Sequence, residues 1–337
     1  MGADKLIVPK DYASKMDLME TQVAIKVLKD KFEKELSRKL NLDRVSAPLF
    51  VKKSSGLNDD LSGVERPVGF DMLDTGYYVE IVQSLAKWKR MALGMYKIPE
   101  NKGLYTDMNA IRRDEELDNT HSIYVDQWDW EKVIVREDRT LEYLIATVKD
   151  IYEVFKITSY KMNYEFPKIA MELPKDIFFI TSQDLLDMYP DKTPKEREYE
   201  ISKKHGAVFI MQIGKLLSNG DVHDGRASDY DDWELNGDII LYYDVLDMAL
   251  ELSSMGIRVD ADRIRKQTKA KGEEYKLEQE FQKSVLNETV PFTIGGGIGQ
   301  SRICMYFLRK AHIGEVQVSI WDDETIRICK ENNIALL

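Results

Sequence analysis

Gly295-Gly296-Gly297-Ile298-Gly299 runs directly into Gln300-Ser301-Arg302. Glycines at a helix start let backbone N–H groups come close to a ligand. An arginine on the first helical turn can then fork onto a phosphate. No Gly-Lys-Ser/Thr follows, so this is not a Walker A loop. The spacing is also wrong for a dinucleotide fingerprint, and no βαβ unit precedes it. Taken alone, the run reads equally well as a glycine-rich turn before a core helix.

Two more groups could do chemistry. Ile111-Arg112-Arg113-Asp114-Glu115, followed by His121 to Glu131, reads as strand, polar loop, strand, with an arginine at the entry to the hairpin. On the return strand Gln127 and Asp129 share one face, two residues apart. An arginine, an amide and a carboxylate on one sheet face can hold a phosphate and an amino group. The plain alternative is a surface hairpin with solvated charges. The third group is Glu251-Leu252-Ser253-Ser254-Met255-Gly256-Ile257-Arg258-Val259, with Asp238 and Asp244 upstream. Carboxylates beside a nucleotide commonly hold Mg²⁺ through oxygen ligands. Ordinary acids at a strand edge are the competing reading.

These residues need a scaffold, and the hydrophobic pattern supplies one. Tyr12 to Leu40 is expected to be a long helix, with Ile25, Leu28, Phe32, Leu36 and Leu40 at spacings of three and four. Thr140 to Phe166 is a second. Leu85 to Tyr96 is a shorter helix carrying Lys87, Lys89 and Arg90. Strands are expected at Val45 to Phe50, Tyr77 to Val82 (a central one), Phe178 to Ile180, Ala207 to Met211, Gly237 to Tyr243 and Val316 to Trp321. In Ile123 to Trp130, period two puts Tyr124, Asp126, Trp128 and Trp130 on one face and Val125, Gln127 and Asp129 on the other. Thr193 to His205 and Asp260 to Asn287 read as charged, mostly solvated helices. Gly299 to Lys310 reads as a final helix. Strands do not alternate strictly with helices, so a mainly antiparallel sheet with packed helices is expected, an α+β fold. Trp128 and Trp130 read as core or dimer packing, and Cys304 as a buried small hydrophobe. His223-Asp224 belongs either to a lid over the site or to a plain surface loop.

Composition narrows the class. The chain has 337 residues, a formal net charge of −11 and a 43% hydrophobic share, enough for a sizeable core. A net anion argues against a generic binder of nucleic acid or anionic membrane. Two cysteines rule out a disulfide scaffold, and four scattered histidines argue against a multi-histidine metal site. No apolar run approaches ~18 residues, and Met1 to Lys10 has no secretory apolar core. A cytoplasmic protein is expected.

Together and in this order, the three groups resemble class II aminoacyl-tRNA synthetase cores: a motif-2-like hairpin, an aspartyl/asparaginyl-like Glu…Ile-Arg segment and a motif-3-like glycine run ending in arginine. Longer strings narrow the resemblance. Asp59-Asp60-Leu61-Ser62-Gly63, Gln83-Ser84-Leu85-Ala86-Lys87-Trp88-Lys89-Arg90, Gly103-Leu104-Tyr105-Thr106, Tyr124 to Glu131, Asp229-Tyr230-Asp231-Asp232-Trp233, Leu235-Asn236-Gly237-Asp238 and Glu251 to Asp260 are similar to the ammonia-dependent aspartate–ammonia ligase family. The match runs from about Met16 to Leu337. It implies a single catalytic domain, 1–337, with 1–15 an N-terminal extension and 16–337 a class II synthetase-like core.

The resemblance implies a reaction of aspartate, ATP and ammonia giving asparagine, AMP and pyrophosphate through a β-aspartyl adenylate. By the same resemblance Arg112 meets the α-phosphate, and Arg302 holds the triphosphate tail and the mixed anhydride. Asp238 and Glu251 are the expected Mg²⁺ ligands, with Asp244 a further option. His121, Ser122, Leu252, Ser253, Ser254, Gly297 and Gly299 line the ATP site. Val125 stands where related synthetases stack an aromatic on adenine, so apolar packing must replace stacking. Arg258 is expected to read the α-carboxylate as a bidentate fork. Asp59, Gln127 and Asp129 receive the α-ammonium or guide ammonia. Ser84 and Lys89 line the aspartate pocket, with Lys89 near the reacting carboxylate.

Glutamine-dependent synthetases of the other type use an N-terminal cysteine. This chain starts Met1-Gly2-Ala3, so free ammonia is the expected donor. A homodimer through Tyr12 to Leu40 and Val45 to Phe50 is implied. The competing functions are an aspartyl- or asparaginyl-tRNA synthetase, disfavoured because only ~40 residues precede the first core strand, too few for an anticodon-binding barrel, and a non-catalytic paralogue.

Overall fold

The computed structural model describes residues 6–59, 61 and 65–337. Asp60, Ser62 and Gly63 of the first ligase-like string lie outside them. Helix α1 (Leu18–Leu40) begins after the expected Tyr12, because Asp17 and Glu20 form a reciprocal capping box. Its Leu28, Phe32, Leu36 and Leu40 are buried. Strand β1 (Leu42–Arg44) follows.

Val45 to Phe50 is not a strand: Pro48 interrupts it, and β2 (Phe50–Lys52) starts only beyond it. Strands β3 (Gly69–Asp71) and β4 (Tyr78–Ile81) join β2 in a separate three-stranded sheet with β4 in the middle. Tyr77 to Val82 is therefore central to a small side sheet and not to the main one.

Helix α2 (Ala86–Met95), strand β5 (Gly103–Ile111), strand β6 (Tyr124–Val133) and helix α3 (Leu141–Glu165) follow. Next come β7 (Phe178–Thr181), α4 (Ser182–Met188), α5 (Pro194–His205) and β8 (Ala207–Met211). Helix α5 is less solvated than expected, since Ile201 and Ser202 are fully buried. The long strands β9 (Asp231–Tyr243) and β10 (Met248–Arg258) form a hairpin.

The charged stretch from Asp260 breaks into α6 (Ala261–Lys271), a 3₁₀ turn and α7 (Glu280–Leu286). It is not a solvated rod: Ile264, Phe281 and Val285 pack a small core with Val259 and Val290. The glycine run is strand β11 (Thr293–Gly299), not a turn, and α8 (Gln300–Phe307) starts at its end. Val316 to Trp321 is not a strand. The amides of Val316 and Gln317 close a turn on Ile313, and Val318 and Ile320 point to solvent. The last element is a further helix, α9 (Asp323–Glu331).

The main sheet has eight strands in the order β1-β5-β6-β11-β10-β9-β8-β7. Only the outer pairs β1/β5 and β7/β8 are parallel; every inner pair is antiparallel. This is the expected α+β, mainly antiparallel arrangement.

Helices α1, α3 and α8 bury one face of the sheet. Phe32 stacks on Trp128 with ring centroids 4.6 Å apart, and Trp130 and Cys304 are buried in the same core. Burial pushes the Cys304 thiol up to about 12, which keeps it protonated and inert. Because side chains alternate along β6, packing Trp128 and Trp130 inward obliges Val125, Gln127, Asp129 and Glu131 to the opposite face.

Candidate active site

That opposite face floors a cavity of about 570 Å³. It draws on the β5–β6 hairpin, the start of α2, the middle of β10, the glycine strand and the start of α8. Asp59, Ser84, Lys89, Arg112, His121, Ser122, Val125, Gln127, Asp129, Glu251, Leu252, Ser253, Ser254, Arg258, Gly297, Gly299 and Arg302 all line it. Residues from both ends of the chain thus meet in one pocket. Asp238 is not on the wall itself but lies beside it on β9, opposite Ser254. Asp244 is elsewhere: it lies beyond the end of β9, its two oxygens forked by Arg309 at 2.6 Å each. It is no metal ligand of this pocket.

The glycines of β11 are explained by their neighbours. Gly295 pairs with Glu131, Gly297 with Asp129 and Gly299 with Gln127. A Cβ on Gly295 would run into the Glu131 carboxylate and stand 2.6 Å from Arg258 Nη2. A Cβ on Gly297 would collide with the Gln127 amide. The run exists so that long side chains from β6 and β10 can lie across β11; it does not shape a phosphate loop.

Two buried charge clusters use this space. In the first, Lys89 Nζ pairs with Asp129 and donates to the carbonyls of Trp130 at 3.0 Å and Gly296 at 3.1 Å. Its three ammonium hydrogens are therefore engaged. In the second, Arg258 is only 2% exposed. Its Nε and Nη2 lie 3.0 and 2.8 Å from Glu131 oxygens, and its Nη1 pairs with Asp231.

The fork expected for a substrate carboxylate is thus spent on Glu131, and one hydrogen remains on each terminal nitrogen. Burial pushes the Glu131 carboxyl up, but Arg258 and Lys89 outweigh it, so the group lies below the usual range and stays ionised. Glu131 and Asp231 went unassigned in the sequence. Glu131 could have been found by extending the Gln127, Asp129 alternation one step; Asp231 could not, because the contact is tertiary.

The outer wall is different. The Nε of Arg112 is buried with no hydrogen-bond partner, and its Nη1 lies 3.8 Å from the Glu115 carboxylate. Arg302 donates to the carbonyls of Thr120 and Glu251 at 3.3 and 3.1 Å. Asp118 holds the Nδ1 of His121 at 2.9 Å, leaving the ring's far edge for the pocket. Burial pushes the Asp118 carboxyl up, and His121 and the Thr120 amide more than reverse it. Ser122 bonds Ser319 at 2.7 Å. A bulge between Glu251 and Ser253 re-aims β10, so that Glu251 and Ser254 serve the pocket while Leu252 packs into the core. The Ser253 Oγ is buried and unpartnered.

Asp238 and Glu251 are near enough to feel each other's charge. Burial, with Glu251 nearby, raises Asp238 to about 7 despite Arg226. Glu251 is pushed up by burial but brought below its usual range by Arg302, Arg226 and Lys195. The donor set is two hard carboxylates at a pocket edge, and it already takes a cationic group, the Arg226 guanidinium on Asp238. It therefore fits a divalent cation such as Mg²⁺.

Replacing Gly295 by Ala is expected to split the Arg258–Glu131 pair and cost about 3–5 kcal/mol. Replacing Gly94 by Ala, whose Cβ would meet only Pro291 at 3.6 Å, is expected to stay within ~1 kcal/mol on the stabilising side. Urea denaturation of both variants checks this; a silent Gly295→Ala contradicts the packing argument.

The chain matches relatives over nearly their whole length. A family model described as aspartate-ammonia ligase matches residues 19–333. The chain is 60% identical over 335 residues to an aspartate–ammonia ligase of Clostridium perfringens (strain SM101 / Type A), covering 99% of this chain and 100% of that one. It is 59% identical over 325 residues to the aspartate–ammonia ligase of Bacillus cytotoxicus, covering 96% and 99%. In fold it is similar to the asparaginyl-tRNA synthetase of Pyrococcus horikoshii complexed with asparaginyl-adenylate. The TM-score there is 0.64 at 14% identity, over 88% of this chain and 68% of that one. The aspartyl-tRNA synthetase of Entamoeba histolytica gives 0.59 at 15%, over 90% and 59%. The chain belongs to the aspartate–ammonia ligase family, on a class II aminoacyl-tRNA synthetase-like fold.

Proposed function

We propose that this ligase, which makes asparagine from aspartate and ammonia, works through a β-aspartyl adenylate with ATP as the activating substrate. One observation carries the reading: Arg112 lines the pocket with a buried Nε that has no acceptor, while the floor cations Lys89 and Arg258 are already paired with carboxylates. A buried guanidinium donor left open is a place for an anion.

The β-carboxylate oxygen of aspartate attacks the α-phosphorus, and the bond from that phosphorus to pyrophosphate breaks. Arg112 takes the charge that grows on the α-phosphate, and Arg302 with His121 holds the departing tail. Glu251 and Asp238 are the residues to hold Mg²⁺, which when bound neutralises polyphosphate charge. Ser122, Val125, Ser253 and Ser254 enclose the nucleotide, with Leu252 backing this wall from the core and Val125 giving adenine an apolar surface instead of a stacking ring. Gly299 leaves room beside Arg302, and Gly297 leaves room for the Gln127 amide at the pocket's edge.

Aspartate lies over the β6 face. Arg258 offers its two remaining hydrogens to the α-carboxylate, while Gln127, Asp59 and Ser84 orient the amino group. Lys89 has no spare hydrogen; it works by holding Asp129 in place and by its charge beneath the reacting carboxylate. In the second step ammonia attacks the acyl carbon, the bond to AMP breaks, and the proton lost from nitrogen goes to Asp129 or Asp59. The protein supplies position and field; the leaving group supplies the reactivity.

We further propose one catalytic domain, 16–337, with 1–15 as an extension; within it the Tyr12 hydroxyl donates to Glu315 at 3.0 Å. The proposed assembly is a homodimer, supported by exposed Leu18, Met19 and Val23 on α1. Among the described residues no helix is long and apolar enough to cross a membrane. A cytoplasmic location remains part of the proposal, and the two buried free cysteines are in keeping with it.

Purified protein with aspartate and Mg-ATP is expected to give asparagine with NH₄Cl and not with glutamine, with AMP in equal amount. Release of ADP would reject the adenylate. Arg112→Ala is expected to lose at least about 100-fold in kcat with its urea midpoint unchanged; retained turnover would remove Arg112 from the α-phosphate. Light scattering is expected at twice the chain mass, and a monomer would reject the dimer.

A further inference from the structure

Arg226 carries a charge into this cavity from a loop whose function the family-like motifs do not specify. It lies between β8 and β9 and lines the pocket with Gly225 and Ala227. Its Nη2 pairs with both oxygens of Asp238. Its Nε is buried with no partner, and its Nη1 donates to the Gly225 carbonyl at 3.2 Å and lies 3.9 Å from Asp224.

The backbone on either side is fastened. His223 is buried against Glu198 at 3.1 Å, so His223-Asp224 is not a free lid. Trp233 Nε1 donates to the Ala227 carbonyl at 3.0 Å, and Ser228 bonds Glu273 at 2.6 Å. The side chain is the part that can move, and Asp224, 45% exposed, is a second partner within its swing.

Arg226 thus puts a positive group directly on Asp238, and its charge reaches Glu251, the other carboxylate assigned above to the metal. The other charged or titratable groups near that pair are Arg302, Lys195, His121 and Asp224. A guanidinium and a divalent ion cannot share one small buried space, because their repulsion is unscreened there. Two neighbouring carboxylates, Asp238 buried and Glu251 half-buried, stay ionised together only with a cation beside them.

We propose that Arg226 is the resident counter-cation of Asp238 and Glu251, and that it gives up its place to the divalent ion that enters with ATP. The displaced guanidinium, with its open Nε, turns to the polyphosphate or to Asp224. The inference rests on the reading of Asp238 and Glu251 as metal ligands. Its consequence is ordering: the divalent ion alone must evict an arginine, whereas the ion with ATP brings phosphates that receive it. Metal without nucleotide is therefore held weakly.

The test is Mn²⁺ binding to the full chain without nucleotide, followed by electron paramagnetic resonance. Arg226→Met is expected to tighten Mn²⁺ binding by at least about tenfold over wild type, since the competitor is gone. Arg226→Lys, which keeps a charge but not the fork, is expected between the two; it decides the matter if the methionine variant does not fold. Affinity equal to wild type in the folded variant overturns the proposal. Adding Glu251→Gln to Arg226→Met is expected to abolish the gain. Persistence of tight binding there would show that the ion sits elsewhere, which overturns the metal reading as well as this one.

Discussion

Arg258 sits almost out of reach of water with Glu131 on one side and Asp231 on the other, and the pocket is arranged around that fact. A buried charge is tolerated only if its partners are held in place. Glu131 is held because β6 must turn Trp128 and Trp130 into the core. The room for its side chain exists because β11 opposite is glycine. Lys89 and Asp129 repeat the device one step along the same strand. Core packing on one face of the sheet therefore sets charge geometry on the other. The floor's cations are paired before any substrate arrives, which leaves the wall arginines to meet the anions.

This division explains how an acidic chain serves an anionic substrate. A net charge of −11 gives no general attraction for polyphosphate. Attraction is local: Arg112, Arg226 and Arg302 stand on the cavity wall, from the hairpin, a loop and the first turn of a helix. Electrostatics that act inside a low-dielectric pocket favour a polyphosphate there without a positively charged surface.

Legibility in the sequence followed periodicity. Helices α1, α2 and α3 and the two faces of β6 were readable because burial imposes periods of 3.6 and two. The pocket residues were readable through resemblance, and all but Asp238 and the optional Asp244 line one cavity. Where alternation had another cause it misled: Val316 to Trp321 looks like a strand, yet Val318 and Ile320 are exposed. The glycine run looked like a ligand loop because sequence cannot show that Glu131 and Gln127 need the space above it. Asp244 looked like a ligand by proximity in sequence, and a surface arginine claims it. Arg226 and Asp231 were invisible for one reason: their roles depend on side chains brought from other strands.

The central claim is that the β-carboxylate itself attacks the α-phosphorus. Aspartate labelled with ¹⁸O in its β-carboxylate, turned over with Mg-ATP and ammonium, tests this directly. The account predicts that one ¹⁸O atom appears in AMP for each asparagine formed, with none in pyrophosphate. Unlabelled AMP, or label appearing in inorganic phosphate beside ADP, would contradict it.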